Sequence, residues 1–81
     1  MHLYIGNWVV DDLGDYCKIT RIIGDSERGH KEEIWGIWSN HPVQELRTSS
    51  DCIVGKYRTK KEAMAVADIV RQQCDEEYLY G

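Results

Sequence analysis

The stretch "EIWGIWS", Glu33–Ser39, carries two of the chain's three tryptophans, and its reading decides the fold. On a helix, residues three apart share a face. On a strand they point to opposite faces, because side chains alternate with a period of two. The run is short and dense in isoleucine and tryptophan, which suits a strand. Trp38 then aligns with Ile34 and Gly36, and Trp35 with Ile37. Trp38 is expected to pack beneath a helix, with Gly36 as the gap where that helix comes close. Trp35 is expected on the open side of the sheet.

Three more runs read as strands: "HLYIGNWVV" at residues 2–10, "YCKITRII" at 16–23 and "CIVGKYR" at 52–58, with the third strand spanning 33–39. In the second run Cys17, Ile19 and Ile23 fall on one side, and Lys18 and Thr20 on the other. "DDLGD" reads as an acidic turn, and Gly24–Glu32 as a long hairpin loop. Asn40–Asp51 reads as a polar connection that holds a short helical turn near Val43–Leu46. "TKKE", Thr59–Glu62, is a capping box. Behind it Ala63, Val66, Ala67, Val70 and Cys74 recur on one helical face, with Arg71, Gln72 and Asp75 on the other. A helix over 60–76 follows, fraying in "DEEYLYG" because acids are unfavourable at the negative end of the dipole. The expected fold is α+β: a single domain, 1–81, with a four-stranded, mostly antiparallel sheet and one C-terminal helix packed on one face.

Composition narrows the class. Hydrophobic residues make up 42% and charged residues 30% of the 81, a balance that folds in water. Fourteen acidic against ten basic residues give a net charge of −4, which disfavours unspecific binding to phosphate backbones and anionic membranes. Three cysteines without a paired spacing read as reduced thiols of a cytoplasmic protein. No apolar run reaches the ~20 residues of a membrane helix, and the amino terminus lacks the form of a signal peptide.

A single helix leaves one sheet face open, and an open face should be polar at alternate positions. The first and third runs break that rule, because Tyr4, Trp8 and Trp35 lie opposite Leu3, Ile5 and Ile34. If the helix covers the Leu3, Ile5, Ile19 and Ile34 side, they form an aromatic surface with Tyr16, unless Asn40–Asp51 or the Tyr78–Tyr80 tail folds over it; the opposite assignment exposes Trp38 instead. Tyrosine and tryptophan are favoured interface anchors. Asp11, Asp12, Asp15, Glu32 and Glu33 sit in the adjoining loops. If those loops converge, they supply an acidic rim that steers toward a basic protein surface.

Catalytic chemistry finds little support. "DDLGD" lacks the alternate oxygen ligands and closing bidentate acid of a calcium loop. Cys17, Cys52 and Cys74 are not spaced with His2, His30 or His41 as a zinc site or a nucleophilic triad. The glycines form no phosphate loop. No catalytic residue, metal or cofactor is assigned. The basic run "KYRTKK" offers Lys56, Tyr57, Arg58, Lys60 and Lys61 as an alternative, nucleic-acid-binding set.

In size, charge and organisation the whole chain resembles the small acidic proteins that phages encode against host defences, anti-CRISPR proteins above all. The resemblance implies a non-enzymatic inhibitor, in the cytoplasm of a bacterial host, that occupies a surface of a protein or ribonucleoprotein target. Immunity proteins against intracellular toxins are similar for the same reasons. A small nucleic-acid-binding regulator and a homodimer that buries its open face are the other readings.

Overall fold

Alternation sets the pairing. In the computed structural model, which describes residues 2–24 and 32–80, with helix side chains described to residue 74, Val9 faces Cys17 and Ile19 faces Gly36 across neighbouring antiparallel strands. The elements are β1 (Trp8–Asp11), β2 (Tyr16–Ile23), β3 (Glu33–Ile37), β4 (Glu45–Ser49), β5 (Ile53–Tyr57) and the helix α1 (Lys60–Tyr80). All pairs are antiparallel, and the order is β4-β3-β2-β1-β5. The fold is α+β with one C-terminal helix on an antiparallel sheet, and the sheet has five strands rather than four. The expected hairpin loop, Gly24–Glu32, lies outside the described residues except at its two ends, and so do the side chains of the expected tail cover, 78–80.

The added strand, β4, lies in the segment expected to be a polar connection with a helical turn. Its pattern alternates: Leu46 and Thr48 pair with the inward Gly36 and Ile34, while Glu45 and Arg47 pair with the outward Ile37 and Trp35. One leucine is a weak signal, as befits an edge strand. The amino-terminal run is shorter than expected. Residues Tyr4 to Asn7 form a turn, with Asn7 Oδ1 accepting from the Tyr4 amide at 2.9 Å and Gly6 at φ 95°. Pairing in β1 therefore starts at Trp8. The helix runs on through Tyr80, past the expected end at residue 76.

The sheet is rolled, and the roll decides which face does what. In a flat sheet β1 and β4 would lie about 14 Å apart, at about 4.8 Å per strand. Here Asp11 of β1 lines the same small cavity, about 100 Å³, as Leu46, Arg47 and Thr48 of β4. A 3-10 turn at Ser50–Cys52 closes the seam: the Ser50 amide donates to Glu32 O at 3.0 Å and the Asp12 amide to Cys52 O at 2.9 Å. On the concave side Val9, Cys17, Ile19, Ile34, Trp38 and Ile53 form a core without the helix. Each fully buried aliphatic chain there contributes about 1.5–3 kcal/mol. The helix packs on the convex side, where Ala63 and Ala67 meet Val10, flanked by Trp8, Tyr16 and Tyr57.

Trp38 is therefore not under the helix, as the sequence suggested. It is buried in the concave core, where its indole N–H donates to Leu46 O at 3.2 Å. Gly36 does admit a close approach, but by β2. A Cβ there would lie 2.6 Å from Lys18 O and 2.7 Å from Cys17 Sγ. The helix comes closest at Gly14, where a Cβ would lie 2.8 Å from Arg71 Cβ. Gly36→Ala is predicted to lower stability by about 1–3 kcal/mol through overpacking against β2 backbone. Urea unfolding measures this, and an unchanged midpoint would contradict the packing described.

Candidate protein-docking surface

β2 carries a bulge. Ile19 pairs with Gly36 and Arg21 with Trp35, so Thr20 and Arg21 together oppose one residue of β3. The extra residue reverses the alternation beyond it. Ile22 turns inward against the concave core, and Ile23, expected inward, lies outward and 44% exposed. On the outer face of β2–β4 the Arg21 guanidinium stacks 4.3 Å from the Trp35 ring centroid. Arg21 also pairs with Glu45 at 2.8 Å, and Arg47 with Glu33 at 3.2 Å. Such exposed pairs contribute little stability individually. They hold the two guanidinium groups beside the indole. Trp35 is half-buried, and its Nε1–H is buried with no hydrogen-bond partner among the described residues.

The nine expected docking residues divide. Trp35 faces outward as expected, but on the same convex side of the sheet as the helix rather than on the side away from it, because the helix sits over β1 and β5 and not over the Ile34 side. Trp8 and Tyr16 lie on the same convex side but are half-buried against the helix, with ring centroids 6.5 Å apart. Tyr4 stands elsewhere, 61% exposed, with the Lys56 ammonium 5.6 Å from its ring centroid. Asp15 does not steer a partner. It is 5% exposed and bonded at 2.6 Å to Arg71 of the helix, with the Ser39 hydroxyl at 3.5 Å. Arg71, expected on the polar side of the helix, thus ties it to the β1–β2 turn. Asp11 serves that turn too, accepting from the Leu13 and Asp15 amides at 3.1 and 2.8 Å. Glu33 is in its ion pair. Asp12 is exposed and Glu32 half-buried, with no ion pair among the described residues, and backbone bonds hold their segments at either end of the 3-10 turn.

The alternative basic set is also divided. Lys56 donates to His2 O at 2.6 Å, and Tyr57 packs toward the helix. Arg58, Lys60 and Lys61 are exposed at the start of α1, where Thr59 Oγ1 accepts from the Glu62 amide at 3.2 Å as the capping box requires. Cys17 is inert: desolvation by burial, aided by the Asp11 charge, pushes its thiol up to about 12. No group of three histidine, cysteine or acidic side chains suited to a metal gathers among the described residues. No helix there is long and apolar enough to cross a membrane. Comparison with protein-family models, curated proteins and solved structures returned no match to this chain.

Residues Arg21 and Arg47 were missed by sequence reasoning. Their signal was present as arginines at outward positions of β2 and β4, and it needed the bulge and the unrecognised strand to be read. Asp11 yields a prediction. Desolvation, with the Asp15 and Asp12 charges, raises its pKa above 3.8 against the opposing backbone bonds. The folded state then binds more protons than the unfolded chain in that window, so this group costs stability as pH rises through it. Asp11→Asn keeps an acceptor for the turn and sheds that cost. The variant should be more stable than wild type at pH 7, with the gain vanishing below pH 3.8. Thermal unfolding across pH checks this, and a gain that grows on acidification would contradict it.

Proposed function

We propose that the protein is a non-enzymatic inhibitor that binds a protein or ribonucleoprotein target through the outer face of β2–β4. The observation that carries this reading is Trp35. Among the described residues it stands on the part of the convex side that the helix leaves open, stacked by Arg21 and beside Arg47. A half-buried indole with adjacent arginines has the composition of an interface hot spot. Asp12 and Glu32 at the seam are the steering charges of this surface toward a basic target.

In this reading the chain acts in the cytoplasm of a bacterial host as an anti-defence protein of the anti-CRISPR kind. Its three free thiols suit a reducing compartment. Two observations count against the nucleic-acid alternative, namely the tie of Lys56 to His2 O and the packing of Tyr57.

The test is co-purification from a host that carries the defence complex, with two variants run beside the wild type. Trp35→Ala, and separately Asp12→Lys with Glu32→Lys, should each weaken target retention by about tenfold or more at an unchanged fold, checked by circular dichroism. Retention by both variants at wild-type strength would refute this surface.

A further inference from the structure

Beside the amino end of α1 lies a groove of about 440 Å³ that makes no use of Trp35. Its apolar lining is Trp8, Tyr16, Ile37 and Pro42 with an edge of the buried Trp38, and its charges are the ammonium groups of Lys18 and Lys60. Among the described residues no carboxylate lines it, and neither lysine has an ion pair. Glu45 touches the wall through Thr20 at 3.0 Å, but Arg21 neutralises it at 2.8 Å. In a chain of net charge −4, this cleft inverts the sign of the protein's overall field. Trp8 and Tyr16 are tilted at 46°, which leaves ring surface toward the groove rather than sealed in a stack.

We propose that this groove binds an acidic segment of a partner protein. An aromatic or aliphatic side chain of the segment sits against Trp8 and Tyr16, and carboxylates on its neighbours reach Lys18 and Lys60. The apolar contact supplies affinity, and the two ammonium groups select the charge. A stacked nucleotide would use the same ring faces. A phosphate chain, however, requires a basic track beyond the groove, and Lys56 of the nearby basic run is already bonded to His2 O. The acidic peptide is the better fit.

The test uses the full chain, labelled with nitrogen-15, and three probes: a capped Asp-Tyr-Leu-Asp peptide, a capped Lys-Tyr-Leu-Lys peptide and an oligothymidylate. The acidic peptide alone should shift the signals of Trp8, Lys18, Tyr16 and Ile37. Lys18→Glu combined with Lys60→Glu, both at exposed positions, should weaken that binding by about tenfold or more. An equal response to the basic peptide, a stronger response to oligothymidylate, or no shift at about 10 mM acidic peptide would overturn the proposal. So would light scattering that shows a dimer dissolved by the double variant, because a second copy would then fill the groove. Trp35→Ala should leave the peptide shifts intact, which separates this site from the docking surface above.

Discussion

The shape of this molecule depends on one extra residue in β2. Between Ile19 and Arg21 two residues stand opposite one, and the strand bends there as it passes from β1 to β3. Bulges sharpen twist and curvature, and this one sits where a five-stranded sheet must curl to bring its seam together. Because the sheet rolls, its concave side can bury Trp38, Ile34, Ile19 and Val9 against one another without help from the helix. The helix is then free to cover part of the convex side, over β1 and β5. Among the described residues, the outer face of β2–β4 remains uncovered.

Chemistry on the convex side follows from that division. The helix approaches closely because Ala63, Ala67 and Gly14 carry almost no side chain at the contact, and the Asp15–Arg71 pair fastens it to the β1–β2 turn. Much of the negative charge that looked available for a partner is thereby spent inside the fold, in Asp15, in Asp11 and in the pairs of Glu33 and Glu45. Arginine stands where acid was expected, around Trp35.

The helix, its cap and its buried face were legible because a capping box and a 3.6-residue period are local signals. So was the separation of Trp35 from Trp38, which needs only the strand period. Beyond these, the fold depends on relations across the chain. The bulge moves Ile22 in and Ile23 out, which strict alternation reads the other way. β4 hides in a polar segment because an edge strand needs one inward leucine and little else. The side on which the helix sits cannot be inferred from two equally apolar faces, and it turned on the roll. Asp15 and Arg71 meet across 56 positions of sequence.

Trp38 and the helix lie on opposite sides of the sheet. Nuclear Overhauser contacts between assigned side chains test this directly. Contacts are expected from the Trp38 indole to Leu46 and the concave core, and from the Ala63 and Ala67 methyl groups to Val10. Contacts between the Trp38 ring and Ala63 or Ala67 would contradict it.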